Sequence, residues 1–120
     1  MAKKALIFGA GLAGTCLAHR LLSNGIEVKI VDQGSNYSSA VAAGMVNPMV
    51  FRRMNKSWRL DEFLPEAQAF YLEMERELQT QFYHPIVIRR FFSSDEERES
   101  WQSRSEEAPY EPYLAKLTAS

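Results

Sequence analysis

The 120-residue sequence contains one cysteine, two histidines and no long apolar run. A lone thiol, Cys16, excludes an internal disulfide and any multi-cysteine metal centre. His19 and His84 have no cysteine or further histidine beside them, so no metal site is expected. No apolar segment approaches the roughly 18–20 residues that cross a bilayer. The net charge of -1 provides no global field towards nucleic acid or an anionic membrane. Met1-Ala2-Lys3-Lys4 has the charge of a signal-peptide start, but glycines interrupt the apolar stretch behind it and no cleavage context follows. With 46% hydrophobic and 24% charged residues the composition is that of a soluble globular chain, expected in the cytoplasm.

What is present begins with a strand–helix–strand pattern. Ala5–Phe8 is a short apolar run ending at Gly9, as in a buried parallel strand. From Leu12 to Asn24, Ala13, Leu17 and Leu21, with Ala18 and Leu22, form an apolar helical face, and Gly25 stands where a left-handed residue would end the helix. "EVKIV" (Glu27–Val31) reads as a second strand with Asp32 at its carboxyl end. Three such elements within about 30 residues make a βαβ unit.

Residues 34–57 are rich in small and turn-forming types and read as a long loop, with a short helix at Ser39–Ala43. A strong helix follows, in which Leu60, Leu64, Ala67, Tyr71, Met74 and Leu78 recur at helical spacing. Pro65 either starts this helix or kinks a longer one beginning near Trp58. "PIVIRRFF" (Pro85–Phe92) is a third strand candidate. "SSDEERESWQSRSEE" reads as a solvated helix capped by Ser93 or Ser94, with acids in its first turn. A doubly wound sheet commonly has five or six strands, and only two here belong to one. We therefore expect the N-terminal part of something larger. The alternative is a small α/β domain that self-associates through its exposed sheet edges.

Gly9-Ala10-Gly11-Leu12-Ala13-Gly14 matches G-x-G-x-x-G after a strand and at the opening of a helix. Gly9 permits the tight turn, Gly11 leaves room for a pyrophosphate, and Gly14 lets the helix approach the strand. The helix N-terminus offers free amides and a positive dipole end to phosphates. Asp32 lies 18 residues beyond Gly14, where a carboxylate accepts hydrogen bonds from ribose hydroxyls. That carboxylate repels a 2′-phosphate, and Gln33 to Ala40 contains no Arg or Lys to reverse this, so NADP is disfavoured and NAD or FAD remain. In "SSAVAAGMVNP" (Ser38–Pro48), serine hydroxyls suit phosphate oxygens. The small residues Ala42, Ala43 and Gly44 let a planar ring approach the backbone, and Met45 can pack on an aromatic surface.

With the glycine turn, Asp32, "SSAVAAGMVNP", the long helix and "IVIRRFF…SDEERESW", the chain resembles the N-terminal region of the D-amino-acid oxidase superfamily of FAD-dependent oxidoreductases. Glycine oxidase-like proteins and tRNA-modification oxidoreductase domains look nearest. The resemblance implies an α/β fold: the N-terminal βαβ of a Rossmann-like FAD-binding domain over residues 1–82, then the start of an α+β substrate domain over 83–120. It implies FAD as cofactor, with Gly9, Gly11, Leu12, Ala13 and Gly14 around the pyrophosphate. Asp32 and Gln33 would meet the ribose, Ser38 and Ser39 would sit near the phosphates, and Ala43, Gly44 and Met45 would lie beside the flavin. The family often carries Glu where this chain has the shorter Asp32. The implied reaction is hydride transfer from an amine or amino-acid carbon to flavin. Family members are much longer, so the catalytic residues are expected beyond Ser120 and the 120-residue chain is expected to be inactive by itself. An NAD-binding dehydrogenase domain and a non-enzymatic nucleotide-binding module are the competing classes.

Arg52, Arg53, Lys56 and Arg59 form a basic cluster that could hold a substrate carboxylate or RNA phosphate, or pair with acids of the next helix. Neighbouring strand residues point oppositely, so one of Arg89 and Arg90 would face inwards, with Arg89 a substrate-carboxylate candidate. The expected partner is a small amine or amino acid, with neither nucleic acid nor membrane.

Overall fold

The computed structural model describes residues 3–35 and 38–117. These divide after Val46 into two compact units.

The first unit is a βαβ. β1 (Lys4–Phe8) and β2 (Glu27–Val31) pair in parallel, with Leu6 opposite Lys29 and Phe8 opposite Val31. Between them runs α1 (Leu12–Ser23). Its end follows the sequence signal: Asn24 is the C-cap, and Gly25 takes φ +71° while its amide bonds the Leu22 carbonyl. The helix seats on the sheet through Gly14, Ala18 and Leu21, spaced i, i+4, i+7. Leu17 and Leu22, expected on the covered face, are exposed, because two strands are too narrow to cover the whole apolar stripe. Leu6 and Phe8 are likewise open on the sheet face opposite Ile7, which is buried.

The loop expected over 34–57 includes residues 36 and 37, which lie outside the described residues; the rest is more ordered than its composition suggested. A single helical turn, α2, spans Ser38–Val41, one residue earlier than expected and ending before Ala43. In the second unit β3 (Met49–Val50) pairs antiparallel with β4 (Asn55–Lys56) across a 3-10 turn, Phe51–Arg53. Two-residue strands are too short to show alternation, which hid the hairpin. Met54 closes it with φ 48° and is buried. With Met49 and Leu114 it forms a core against which Phe51, Trp101, Tyr110 and Tyr113 pack.

α3 (Leu60–Leu78) contains Pro65, so the helix begins before the proline and tolerates the missing amide in its second turn. Leu60, Phe70 and Met74 are buried and Leu64, Ala67 and Tyr71 half-buried, whereas Leu78 is exposed. After the helix, the Glu75 carboxylate accepts the Phe82 and Tyr83 amides at 2.7 and 2.6 Å, and Tyr71 stacks on Tyr83.

Pro85–Phe92 is not a strand: it is irregular, because no strand among the described residues supplies a ladder partner. α4 (Asp95–Ser105) starts as its sequence dictates. Ser94 Oγ accepts the Glu97 amide at 3.2 Å, while the Glu97 carboxylate reaches back to the Ser93 amide at 2.8 Å and to Arg90 Nε at 2.7 Å. No helix among the described residues is long and apolar enough to cross a membrane.

Candidate functional site

The first unit concentrates its polar geometry at the carboxyl ends of β1 and β2. Gly9 leaves β1 with φ +101°, a conformation an L side chain would strain, and its amide donates to the Val31 carbonyl at 2.8 Å. Gly14 is required for a different reason. A Cβ there would lie 2.0 Å from the Gly9 carbonyl oxygen and 3.4 Å from Ile7 Cγ2, so only glycine lets α1 pack against the turn. The Thr15 hydroxyl donates to the Ala10 carbonyl at 3.2 Å and braces the same turn.

Asp32 joins both strands' exits. One carboxylate oxygen accepts the Ala10 amide at 2.7 Å and the other the Gly34 amide at 2.7 Å. The Ala10 amide foremost, then that of Gly34, holds the carboxyl below the usual carboxylate range, so it is ionised at neutral pH. Each oxygen keeps a further acceptor position, and the side chain faces solvent, where ribose hydroxyls could reach it. The Gly34 amide and Ala10 amide were not singled out from sequence. The signal for the first was present in Asp32-Gln33-Gly34, the pattern of an Asx turn, and Gly34 takes φ +68°.

At the start of α1 the first amides have no partners within the helix. Leu12 donates its amide to Ser39 Oγ at 3.1 Å, and a Cβ at Gly11 would come within 3.3 Å of that same oxygen. A neutral hydroxyl oxygen thus sits at the positive end of α1, in the place a phosphate oxygen would take. The glycine turn, Asp32 and Ser39 fit an adenosine ribose joined to a pyrophosphate.

The remaining sequence candidates are less gathered. Leu12 and Ala13 open α1, exposed. Gln33 is exposed beside Asp32, and Ser38 begins α2 exposed to solvent. Ala43, Gly44 and Met45 are exposed in the irregular segment after α2, with Gly44 at φ +67°. In the second unit the basic cluster splits. Lys56 pairs with Asp61 and Arg59 with Glu62, leaving Arg52 and Arg53 exposed on the 3-10 turn. Arg89 is exposed in the irregular segment, while its neighbour Arg90 lies 4.8 Å over the Phe51 ring and pairs with Glu97, a structural engagement.

A family model described as FAD dependent oxidoreductase matches residues 4–119. The chain belongs to the FAD-dependent oxidoreductases. It is 28% identical over 116 residues to the tRNA 5-methylaminomethyl-2-thiouridine biosynthesis bifunctional protein MnmC of Marinobacter nauticus, covering 95% of this chain and 18% of that protein. It is 39% identical over 51 residues to the MnmC protein of Hydrogenovibrio crunogenus, covering 40% of this chain and 8% of that one. The chain thus spans less than a fifth of the length of these curated relatives. No solved structure matches it. Membership in the FAD-dependent oxidoreductases favours FAD over NAD as the nucleotide, and it agrees with the parallel βαβ that opens the fold.

Proposed function

We propose that this chain forms the adenosine and pyrophosphate half of the FAD site in an enzyme that oxidises a C–N bond of an amine or amino acid. The observation that carries the first part is the Asp32 bridge: an ionised carboxylate fixed at the end of β2 by two backbone amides, beside a glycine turn with no side chain in the way. In this reading Asp32 accepts the ribose hydroxyls. The amides opening α1 take the pyrophosphate, and Ser39 exchanges its bond from Leu12 for a phosphate oxygen. FAD, when bound, supplies the electron sink for the oxidation. The protein residues bind and orient it; none in this segment is assigned a proton transfer.

The C–N bond is supported by the relatives, whose printed name places a methylaminomethyl group on a tRNA uridine. An amine of that kind has a carbon next to nitrogen from which two electrons can leave. The test uses the full-length gene product that carries this chain. Anaerobic mixing with secondary amines and amino acids should bleach its flavin absorbance. Retention of the bands with every amine, and bleaching only by a non-amine donor, would overturn the proposed reaction.

A further inference from the structure

We draw no further inference here: the strongest candidate, the open cavity at the start of α4 lined in part by Arg90, Phe91, Phe92, Ser93, Ser94 and Arg98, rests on a helix N-terminus whose cap Ser94 and Glu97 already fill, and among the described residues no buried polar side chain without a partner aims into it.

Discussion

The carboxylate of Asp32 accepts the amide of Ala10 at 2.7 Å, joining the exit of β2 to the turn after β1 across 22 residues of sequence. One side chain therefore shapes the phosphate-facing turn and presents an anion to the ribose. Replacing it by asparagine puts an NH2 where one of the two backbone amides now finds an acceptor, Ala10 or Gly34. Asp32→Asn should weaken FAD binding about tenfold or more, measured by cofactor titration of the apoprotein.

The same carboxylate sets a pH dependence. Its folded-state value lies below the ordinary one, so its contribution is complete above the unfolded value and is lost as pH falls through the lower folded value. Acid unfolding followed by circular dichroism should lose part of its slope below about pH 4 in Asp32→Asn. An unchanged profile would show that the two amide bonds do not distinguish folded from unfolded Asp32.

The glycines of the turn should separate folding from binding. Gly14→Ala forces a methyl against a backbone oxygen 2.0 Å away, which cannot move without parting α1 from β1, so soluble yield and thermal midpoint should both fall. Gly11→Ala meets only Ser39 Oγ at 3.3 Å, a side-chain atom able to turn away. That variant should keep its thermal midpoint and lose FAD affinity. Equal destabilisation by the two substitutions would contradict the distinct roles given to them.

Glu97 is predicted to govern the acid stability of the second unit. The Ser93 amide, then Arg90 and the Ser93 hydroxyl, lower its carboxyl from the ordinary 4.5 to about 2. Its contribution is complete above pH 4.5 and is lost as pH falls towards about 2. Glu97→Gln should flatten the acid-unfolding curve in that window. Ser94→Ala removes the cap of α4 at about 1 kcal/mol, seen as a lower thermal midpoint that does not depend on pH there.

Leu114 tests whether the C-terminal segment belongs to the second core. It packs with Met49 and Met54 and is 3% exposed. Leu114→Ala should destabilise by about 2–5 kcal/mol in chemical denaturation, whereas Leu117→Ala, at an exposed position, should be near neutral.

The parts legible in the sequence were those written in local, repeated signals. β2 matches its expected bounds, α1 ends at Gly25, and Ser94 caps α4, because a strand period, a glycine and an N-cap serine each act within a few residues. The Asp32 site was legible as an acid at a strand end, but the amides it accepts depend on how two turns meet in space. Pro85–Phe92 carried strand composition without a partner, and a ladder cannot form on composition alone. The β3–β4 hairpin escaped for the opposite reason: its strands are two residues each, and a buried Met54 rather than glycine occupies the left-handed position.

The most direct measurement is the identity of the nucleotide released when the purified full-length gene product is denatured. The account predicts a yellow protein that releases FAD, with FAD content lost in Asp32→Ala. A colourless protein that binds NAD, or FAD content unchanged in Asp32→Ala, would contradict it.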